Sequence, residues 1–363
     1  MLKKSSDIKR TNYLVYGGNK MFFRNDMGID LGTANTLIYM KEKGIVLNEP
    51  SVIAMDKLNN SVMATGAAAK EMIGKAPSTI EVIRPLKDGV ISDFDMTAEM
   101  IRVFIRRALG NKSGGNLRIA VGVPSGVTEV EKRAVEEVVR QMGAKEVYIL
   151  EEPMAAAIGS NLAIDGAEGC MIADIGGGTT DIAIIALGGI VTSISLRYAG
   201  DKLNEAIVQY MRKTFNLAIG DKTAENLKIH IGCAMMDTDD NGNEIIITDK
   251  ARGRDIISGL PATVEVTNKD MFLALEESVD IIIDGIKSTL EKAPPEISAD
   301  IVMNGLVLSG GGGTLTNLDK LIAKKTGMNV TVEQNAFEAV ALGTGKSLED
   351  LEKLKRYARV SRR

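Results

Sequence analysis

Apolar and polar positions along this chain follow two periods, one typical of buried strands and the other of amphipathic helices. Residues 118–124, RIAVGVP, are almost continuously apolar, as a strand inside a parallel sheet requires. Residues 128–142 then carry apolar side chains at helical spacing, and Thr128 with Glu131 predicts a capping box at the start of that helix. Residues 97–109 repeat the helical spacing before a glycine-rich loop. Strands that alternate with helices predict an α/β fold.

Two segments half a chain apart share one pattern of strand, aspartate, glycine turn and strand. The segment GIDLGTANTLIYM at 28–40 aligns with ADIGGGTTDIAII at 173–185, so that Asp30 corresponds to Asp174. Short glycine turns can match by chance, but a true repeat predicts two domains of like construction that face each other across a cleft.

Glycine clusters interrupt apolar strands at several points. In DIGGGTTD (174–181) three consecutive glycines cost backbone entropy and pack nothing, which indicates that another group must approach closely. Backbone N–H groups in such a turn form an anion site, and Asp30 and Asp174 add the carboxylates that hold Mg²⁺ together with phosphates. VLSGGGG at 307–313 is a third such turn, with a helix predicted from about Asn317. The pattern predicts a site for nucleotide phosphates and their metal.

Composition excludes several other functions. The chain has 363 residues, with 44 basic and 48 acidic side chains and a net charge of −4, which argues against dedicated nucleic-acid binding. Cys170 and Cys233 lack metal-ligand spacing and suit a reducing cytoplasm, and a lone His230 argues against histidine chemistry. No apolar run reaches the roughly 18 residues of a membrane span, and the polar, basic residues 1–20 do not resemble a signal peptide.

Two further segments invite a functional interpretation. Phe22 and Phe23 lie beside basic residues and could dip into a membrane interface, although a disordered or core-packed terminus is the simpler alternative. DTDDNG at 237–242 matches the opening of a calcium loop, but the twelfth position is Thr248 instead of glutamate. We therefore predict a polar hairpin turn there, followed by a strand over 245–248.

Five motifs occur in the order found in the actin and heat-shock chaperone ATPase superfamily, which the chain resembles. They are the first phosphate motif at 28–36, the first connecting helix at 151–159, the second phosphate motif at 174–181, the adenosine motif at 307–315 and the second connecting helix at 339–345. The segments EEPMAAAIGSNL, VGVPSGVTEVEKRAV, GDKLNEAI and AVALGTGKSLEDLEKL narrow the resemblance to the MreB family of bacterial actin homologues, from about Met21 to the C terminus.

The resemblance implies an actin-like ATPase fold. Two α/β domains of like ribonuclease-H-type topology would each carry a small inserted subdomain, with the nucleotide in the cleft between them. Residues 1–20 would be a disordered N-terminal extension. The implied subdomains are IA (21–53, 87–166 and 338–363), IB (54–86), IIA (167–202 and 267–337) and IIB (203–266).

The resemblance also implies roles for single residues. Glu152 corresponds to the residue that orients the attacking water, with the adjacent Glu151 as an alternative, and Thr179 to the residue that helps to hold that water or the γ-phosphate. Asp30 and Asp174 would hold Mg²⁺ through water. The implied nucleotide contacts are Gly32, Thr33, Ala34, Asn35, Gly176, Gly177, Gly178, Thr179, Thr180, Gly200, Asp201, Asn204, Glu225, Lys228, Gly310, Gly311, Gly312 and Gly313. Without the resemblance, the glutamate and lysine three residues apart at 225 and 228 would form a solvated helical charge pair.

The implied function is a cytoskeletal ATPase. It would bind and hydrolyse ATP, or GTP, with Mg²⁺; nucleotide binding would close the cleft and favour head-to-tail assembly, and hydrolysis would loosen it. Filaments of the family lie at the inner face of the cell membrane and guide cell-wall synthesis in rod-shaped cells. The implied partners are other copies of the chain, the inner membrane surface and the membrane and cell-wall synthesis proteins of the rod complex, in the cytoplasm and without nucleic acid.

Two alternatives share the fold. A chaperone-type ATPase without filaments would need a substrate domain of a few hundred residues, whereas about twenty residues follow the second connecting motif. A sugar kinase would need a catalytic aspartate for the substrate hydroxyl, and none can be named. The family's apolar membrane loop is replaced here by the polar stretch LGNKSGGN at 109–116, which shifts the expected membrane contact to Phe22, Phe23 or the basic ends.

Overall fold

A computed structural model describes residues 25–110 and 117–362 of the chain. The predictions for residues 1–20, for Phe22 and Phe23 and for most of the polar stretch at 109–116 lie outside the described residues. No helix in the described ranges is both long and apolar enough to cross a membrane.

The secondary structure alternates between strands and helices along most of the chain, as predicted. The strands are β1 (Asn25–Leu31), β2 (Asn35–Met40), β3 (Gly44–Pro50), β4 (Ile53–Asp56), β5 (Ser61–Thr65), β6 (Ile80–Ile83), β7 (Leu86–Lys87), β8 (Val90–Ile91), β9 (Leu117–Val123), β10 (Ala144–Glu151), β11 (Cys170–Ile175), β12 (Thr180–Ala186), β13 (Gly189–Leu196), β14 (Leu217–Ala218), β15 (Thr248–Asp255), β16 (Pro261–Thr267), β17 (Leu306–Ser309), β18 (Val330–Val332) and β19 (Arg359–Arg362). The helices are α1 (Ala67–Lys70), α2 (Phe94–Leu109), α3 (Glu129–Gln141), α4 (Glu152–Gly159), α5 (Gly200–Phe215), α6 (Asp221–Ile231), α7 (Asn268–Glu291), α8 (Pro295–Asn304), α9 (Leu318–Thr326), α10 (Ala339–Ser347) and α11 (Leu351–Tyr357), with short 3₁₀ turns at Gly312–Thr314 and Ala336–Glu338.

The first domain is built on a mixed sheet. Among the described strands its order is β19-β10-β9-β1-β2-β3, in which β10, β9 and β1 run parallel and β1, β2 and β3 form an antiparallel meander. All seven residues of β9 are buried, which confirms the prediction from its apolar run. Helices α2 and α3 pack on one face of this sheet through residues such as Phe104 and Val138.

The second domain repeats this topology. Its described strands have the order β18-β17-β11-β12-β13, with β18, β17 and β11 parallel and β11, β12 and β13 antiparallel. The hairpin β11–β12 therefore takes the place that β1–β2 has in the first domain. The predicted internal repeat is confirmed at the level of the sheet, and it places the two glycine turns at equivalent positions.

Each domain also carries a small three-stranded sheet in the described residues. The order β5-β4-β6 belongs to the first domain and β14-β15-β16 to the second. Helix α5 runs through the expected boundary at 202/203, and β16 runs through that at 266/267. A helix and a strand therefore run without a break from the second large domain into its small sheet.

Helices α4 and α10 lie between the two large sheets. They share one apolar cluster with Ala120 and Tyr148 from the first sheet and with Ile172 and Ala183 from the second. The helices touch closely, because a Cβ added at Gly343 would lie 1.7 Å from the carbonyl oxygen of Ala155. This contact places the beginning of α4 at the floor of the cleft.

Local signals in the sequence are mostly confirmed. The capping box between Thr128 and Glu131 opens α3, whereas α2 begins three residues before the predicted start because Asp93 caps it through the Met96 N–H. At 237–242 the Asp239 carboxylate accepts the backbone N–H groups of the residues two and four positions on, which stabilises a tight polar turn of the predicted kind.

The strand predicted over 245–248 is wrong for its first three residues. Their isoleucines are half-exposed, and β15 begins only at Thr248. The Asn268 side chain accepts the N–H of Ile247 and donates to the carbonyl of Ile245, so this segment is tied to the beginning of α7 instead of to a neighbouring strand.

Candidate functional site

The two phosphate-type hairpins meet face to face. A Cβ built on Gly177 would lie 2.5 Å from the Cβ of Ala34 in the opposite turn, and one built on Gly178 would lie 2.5 Å from Oγ1 of Thr33. The β11–β12 turn is closed by the Gly176 N–H, which donates to the carbonyl of Thr179 at 2.9 Å. The glycines are therefore required by the approach of the other hairpin as well as by any ligand.

A single cleft collects most of the residues named from the sequence. The predicted residues that line it are Asp30, Gly32, Thr33, Ala34, Asn35, Glu152, Asp174, Gly176, Gly177, Gly178, Thr179, Gly200, Asp201, Asn204, Glu225, Lys228, Gly310, Gly311 and Gly312. The structure thus brings together residues of both domains that lie up to 282 positions apart, from Asp30 to Gly312.

Two of the expected nucleotide contacts do not line the cleft. Thr180 is fully buried, and its hydroxyl donates to the carbonyl of Tyr198 at 2.7 Å. Gly313 is buried against Leu308, beneath the surface that the preceding glycines present. Both residues support the turns from behind.

The third glycine turn packs directly against the second phosphate hairpin. Gly310 has a φ of 76°, and a Cβ there would lie 2.4 Å from the carbonyl oxygen of Ile175. Helix α9 begins at Leu318, as predicted, but Asn317 before it donates to the carbonyl of Met235 and does not line the cleft. The backbone of this turn is therefore open to a ligand in the cleft, whereas the N terminus of α9 does not reach it.

Four acidic side chains cluster at or just below the floor of the cleft: Glu152, Asp174 and Asp181 are buried, and Asp30 is half-buried. Burial, and then the charge of Asp174, raises the pKa of Asp30 to about 8. Burial raises the pKa of Asp174 to about 6 and that of Asp181 to about 7. Burial, and then the charges of Asp181, Asp30 and Asp174, raises the pKa of Glu152 well above its ordinary value. Such a cluster is stabilised by a cation or by protons.

The donors at this floor fit Mg²⁺ held mainly by water and phosphate. Oδ1 of Asp174 and Oδ1 of Asn204 are buried without a hydrogen-bond partner in the structure. Among the described residues no three histidine, cysteine or acidic side chains converge as metal ligands. Magnesium is commonly bound by one or two carboxylates together with phosphates and several waters, and Asp30 and Asp174 offer that set.

The structure distinguishes between the two adjacent glutamates. Glu152 is the first residue of α4 and lines the cleft, and its Cγ lies over Gly122 of β9, where an added Cβ would approach it to 3.4 Å. Glu151 does not line the cleft, and its carboxylate accepts a hydrogen bond from the Ser125 hydroxyl at 2.7 Å. Of the two, only Glu152 is placed to reach a ligand.

Ion pairs close the mouth of the cleft between the two small subdomains. Lys70 of α1 pairs with Glu225 of α6 at 2.8 Å, and Lys222 of α6 pairs with Glu71 at 2.6 Å. A third pair joins Arg84 to Asp201 at 3.3 Å. These three pairs cross from the first domain to the second.

Glu225 and Lys228 each bond to a different partner instead of to each other. The Glu225 carboxylate bonds to Lys70 across the cleft, while the Lys228 ammonium donates to the carbonyl of Gly200 at 2.9 Å. Burial lowers the pKa of Lys228, opposed by the charges of Glu225 and Asp201. A half-buried ammonium that faces the cleft is suited to an anionic or polar ligand.

Comparison with known proteins settles the family. A family model described as MreB/Mbl protein matches residues 24–356. The chain is 46% identical over 332 residues to the cell shape-determining protein Mbl of Bacillus subtilis (strain 168), with 92% of this chain and 98% of that protein covered. It is 46% identical over 332 residues to the cell shape-determining protein MreB of Escherichia coli (strain K12), with 90% and 94% covered. The chain belongs to the MreB/Mbl family.

A solved MreB structure confirms the fold. The crystal structure of MreB 5 of Spiroplasma citri bound to AMPPNP has a TM-score of 0.85 and 36% identity, and the match covers 91% of this chain and 97% of that one. The actin-like α/β architecture expected from the resemblance is therefore confirmed. A MamK double helical filament, at 23% identity and a TM-score of 0.75, shares the fold.

Several residues of the cleft in this MreB/Mbl chain were not expected from the sequence. They are Leu37, Gly89, Ile229, Ala336, Phe337 and Val340. Most are apolar and belong to ordinary strand or helix patterns, so no local signal marks them. Phe337 is 44% exposed and lies over Gly311, where an added Cβ would be 3.3 Å from its ring. An exposed aromatic ring beside a glycine turn is a feature that suits the flat face of a base.

Proposed function

We propose that this chain is a cytoskeletal ATPase that binds ATP with Mg²⁺ in the cleft, hydrolyses it and polymerises into membrane-associated filaments. The observation that carries the proposal is the single cleft in which two equivalent glycine hairpins face each other, each following an aspartate at its floor. Backbone N–H groups of both turns are suited to the phosphates. GTP carries the same triphosphate as ATP. A binding competition between ATP and GTP would show which of the two the cleft prefers.

Individual residues take defined parts in the proposed reaction. Asp30 and Asp174 hold Mg²⁺ through water, and the ion neutralises charge on the phosphates when bound. Glu152 positions the attacking water, because its carboxylate lines the cleft at the floor and its raised pKa allows it to accept or share a proton. Thr179 lies in the adjacent turn, where its hydroxyl can hold the same water or the γ-phosphate.

Membership of the family supports a proposal of assembly. Relatives carry the name cell shape-determining protein, and we infer that this chain forms head-to-tail filaments at the inner face of the membrane, where they guide cell-wall synthesis and maintain a rod shape. A head-to-tail contact that does not close must propagate as a polymer. Closure of the cleft around nucleotide would bring the two domains into the arrangement that the next copy recognises, and hydrolysis would loosen it.

Phosphate release and sedimentation together test the proposal. Wild-type protein at micromolar concentration should release phosphate from ATP·Mg²⁺ and should pellet only with nucleotide. Glu152→Ala should retain nucleotide and lose phosphate release by at least tenfold, since it removes the group that positions water. Glu168→Ala, at an exposed position before β11, is the matched control and should behave as wild type. Addition of anionic phospholipid vesicles should bring filaments into the vesicle fraction.

Three results would count against parts of the proposal. Unchanged phosphate release in Glu152→Ala would remove Glu152 from its role. Persistent monomers with turnover stimulated by peptides would favour a chaperone-type ATPase. Filaments that do not sediment with the vesicles would show that the chain polymerises without attaching to a membrane.

A further inference from the structure

Ser125 binds two carboxylates from different elements below the cleft. Its backbone N–H donates to Oδ1 of Asp181 at 2.7 Å, and its hydroxyl donates to Oε2 of Glu151 at 2.7 Å. Ser125 is 3% exposed and Asp181 is completely buried. Hydrogen bonds to carboxylates in such surroundings are stronger than those between neutral groups, so they constrain the positions of both acids.

Glu151 occupies the N-cap position of α4 but does not cap that helix. Its backbone is extended, with φ −68° and ψ 136°, and its side chain makes no hydrogen bond to the first turn. The carboxylate turns instead toward Ser125 in the loop that follows β9. Because Glu151 is joined directly to Glu152, the hydrogen bond that holds Glu151 also restrains the backbone from which the Glu152 side chain leaves.

Asp181 ties this arrangement to the second domain. It lies on β12 directly opposite Asp174 of β11, two residues after Thr179 in the phosphate hairpin. The path from Asp181 through Ser125 to Glu151 therefore joins the hairpin of one domain to the beginning of α4 in the other. These contacts give a continuous route along which a shift of the hairpin would reach the residue beside Glu152.

We propose that Ser125 is a positioning residue for Glu152, which it orients through Glu151 while Asp181 anchors it to the second domain. This inference rests on the proposed ATP hydrolysis. It requires no contact between Ser125 and the nucleotide, and Ser125 does not line the cleft. The expected signature is a change in kcat without a change in KM, because the binding surface itself is left intact.

Steady-state phosphate release by single and double variants tests this role, with sedimentation in parallel so that rates refer to polymerised protein. Ser125→Ala and Glu151→Ala should each lower kcat roughly tenfold with KM unchanged. The double variant should be no slower than either single one, since both changes remove the same contact. Glu151→Gln keeps an oxygen acceptor for the hydroxyl and should retain most of kcat.

Ser298→Ala is the matched control, because it removes a hydroxyl-to-carbonyl bond from α8 to Leu290 of α7 (3.3 Å), away from the cleft, and should leave kcat unchanged. If Ser125→Ala fails to fold, Glu151→Ala and Glu151→Gln carry the comparison. Wild-type kcat in Ser125→Ala, or effects of the two alanine variants that multiply, would overturn the positioning role while wild-type hydrolysis still stands. A wild-type chain that binds ATP·Mg²⁺ and releases no phosphate would instead overturn the proposed hydrolysis, and the positioning role with it.

Discussion

Position 177 requires glycine because the opposite hairpin comes too close for a side chain, and not because of its backbone angles. Its φ is not positive, yet an added Cβ would lie 2.5 Å from the Cβ of Ala34 and 3.2 Å from the Ala34 nitrogen. Neither neighbour is the end of a flexible side chain. The overlap can be relieved only if the two hairpins move apart, which would widen the site that both turns form.

Gly177→Ala is therefore expected to weaken ATP·Mg²⁺ binding by about five- to 150-fold. Overpacking costs about 1–3 kcal/mol, and about 1.4 kcal/mol corresponds to a factor of ten in the dissociation constant. Isothermal titration calorimetry measures the effect. Gly220→Ala is the control, because position 220 has a negative φ of −89° and no atom within 4 Å of an added Cβ. Equal affinities for the two variants would contradict the account of the facing hairpins.

The glycines also show what a sequence can say about single residues. Three consecutive glycines between apolar strands predict that something approaches the turn, and position 177 indeed lines the cleft. The pattern does not identify what approaches, and here Ala34 of the other hairpin already fills part of that space. Thr180 shows the same limit, because its hydroxyl can serve a ligand or a carbonyl, and only the fold places Tyr198 within reach.

At the scale of elements, helix α6 links the nucleotide cleft to the small subdomain across it. Glu225 lines the cleft and is also paired with Lys70, whose side chain, like that of Glu225, is about one quarter exposed. The helix thus faces the cleft on one side and the first domain on the other. Opening of the cleft requires that this ion pair and its neighbours separate.

Reversal of the charge at Lys70 should speed the release of nucleotide. A partly exposed pair contributes about 0.5–1 kcal/mol, which predicts a two- to fivefold faster dissociation for Lys70→Glu. Lys70→Glu combined with Glu225→Lys should recover part of the slow rate, although Glu225 has a second role in the cleft. Stopped-flow release of a fluorescent ATP analogue measures both. Lys57→Glu, which breaks the 3.9 Å pair with Glu81 inside one small sheet, should leave the rate unchanged.

Elements were more predictable than the contacts between them. Apolar periodicity and capping residues located β9 and α3, and the repeated strand–turn–strand pattern predicted the equivalent hairpins. The ion pair between Lys70 and Glu225 at the mouth of the cleft could not be predicted in this way, since the two residues are 155 positions apart. Spacing along a helix suggested Lys228 as the partner of Glu225 instead, because local sequence carries no information about a side chain that arrives from another domain.

For the whole molecule, the buried acids couple folding to pH and to cation binding. Asp30, Asp174 and Asp181 have pKa values raised by burial to about 8, 6 and 7, against ordinary values near 4 in the unfolded chain. Between those limits the folded state binds more protons than the unfolded state. Stability that these groups contribute is therefore fully present below about pH 4 and is lost as the pH rises through the folded pKa values.

The nucleotide-free protein should thus become less stable from pH 6 to pH 8, with the loss steepest near pH 6 and levelling off towards pH 8 as the three acids ionise in turn in the folded state. Mg²⁺ with ATP favours the ionised carboxylates, so the stabilisation that the ligands add should be larger at pH 8 than at pH 6. Differential scanning calorimetry at pH 6, 7 and 8, with and without ATP·Mg²⁺, measures both trends. Asp30→Asn removes the group with the highest of these pKa values. The thermal unfolding midpoint of this nucleotide-free variant should therefore fall less between pH 6 and pH 8 than that of the wild type. A nucleotide-free midpoint that rises over this range would show that the acids are ionised without a cation, and the cleft would then need another source of positive charge.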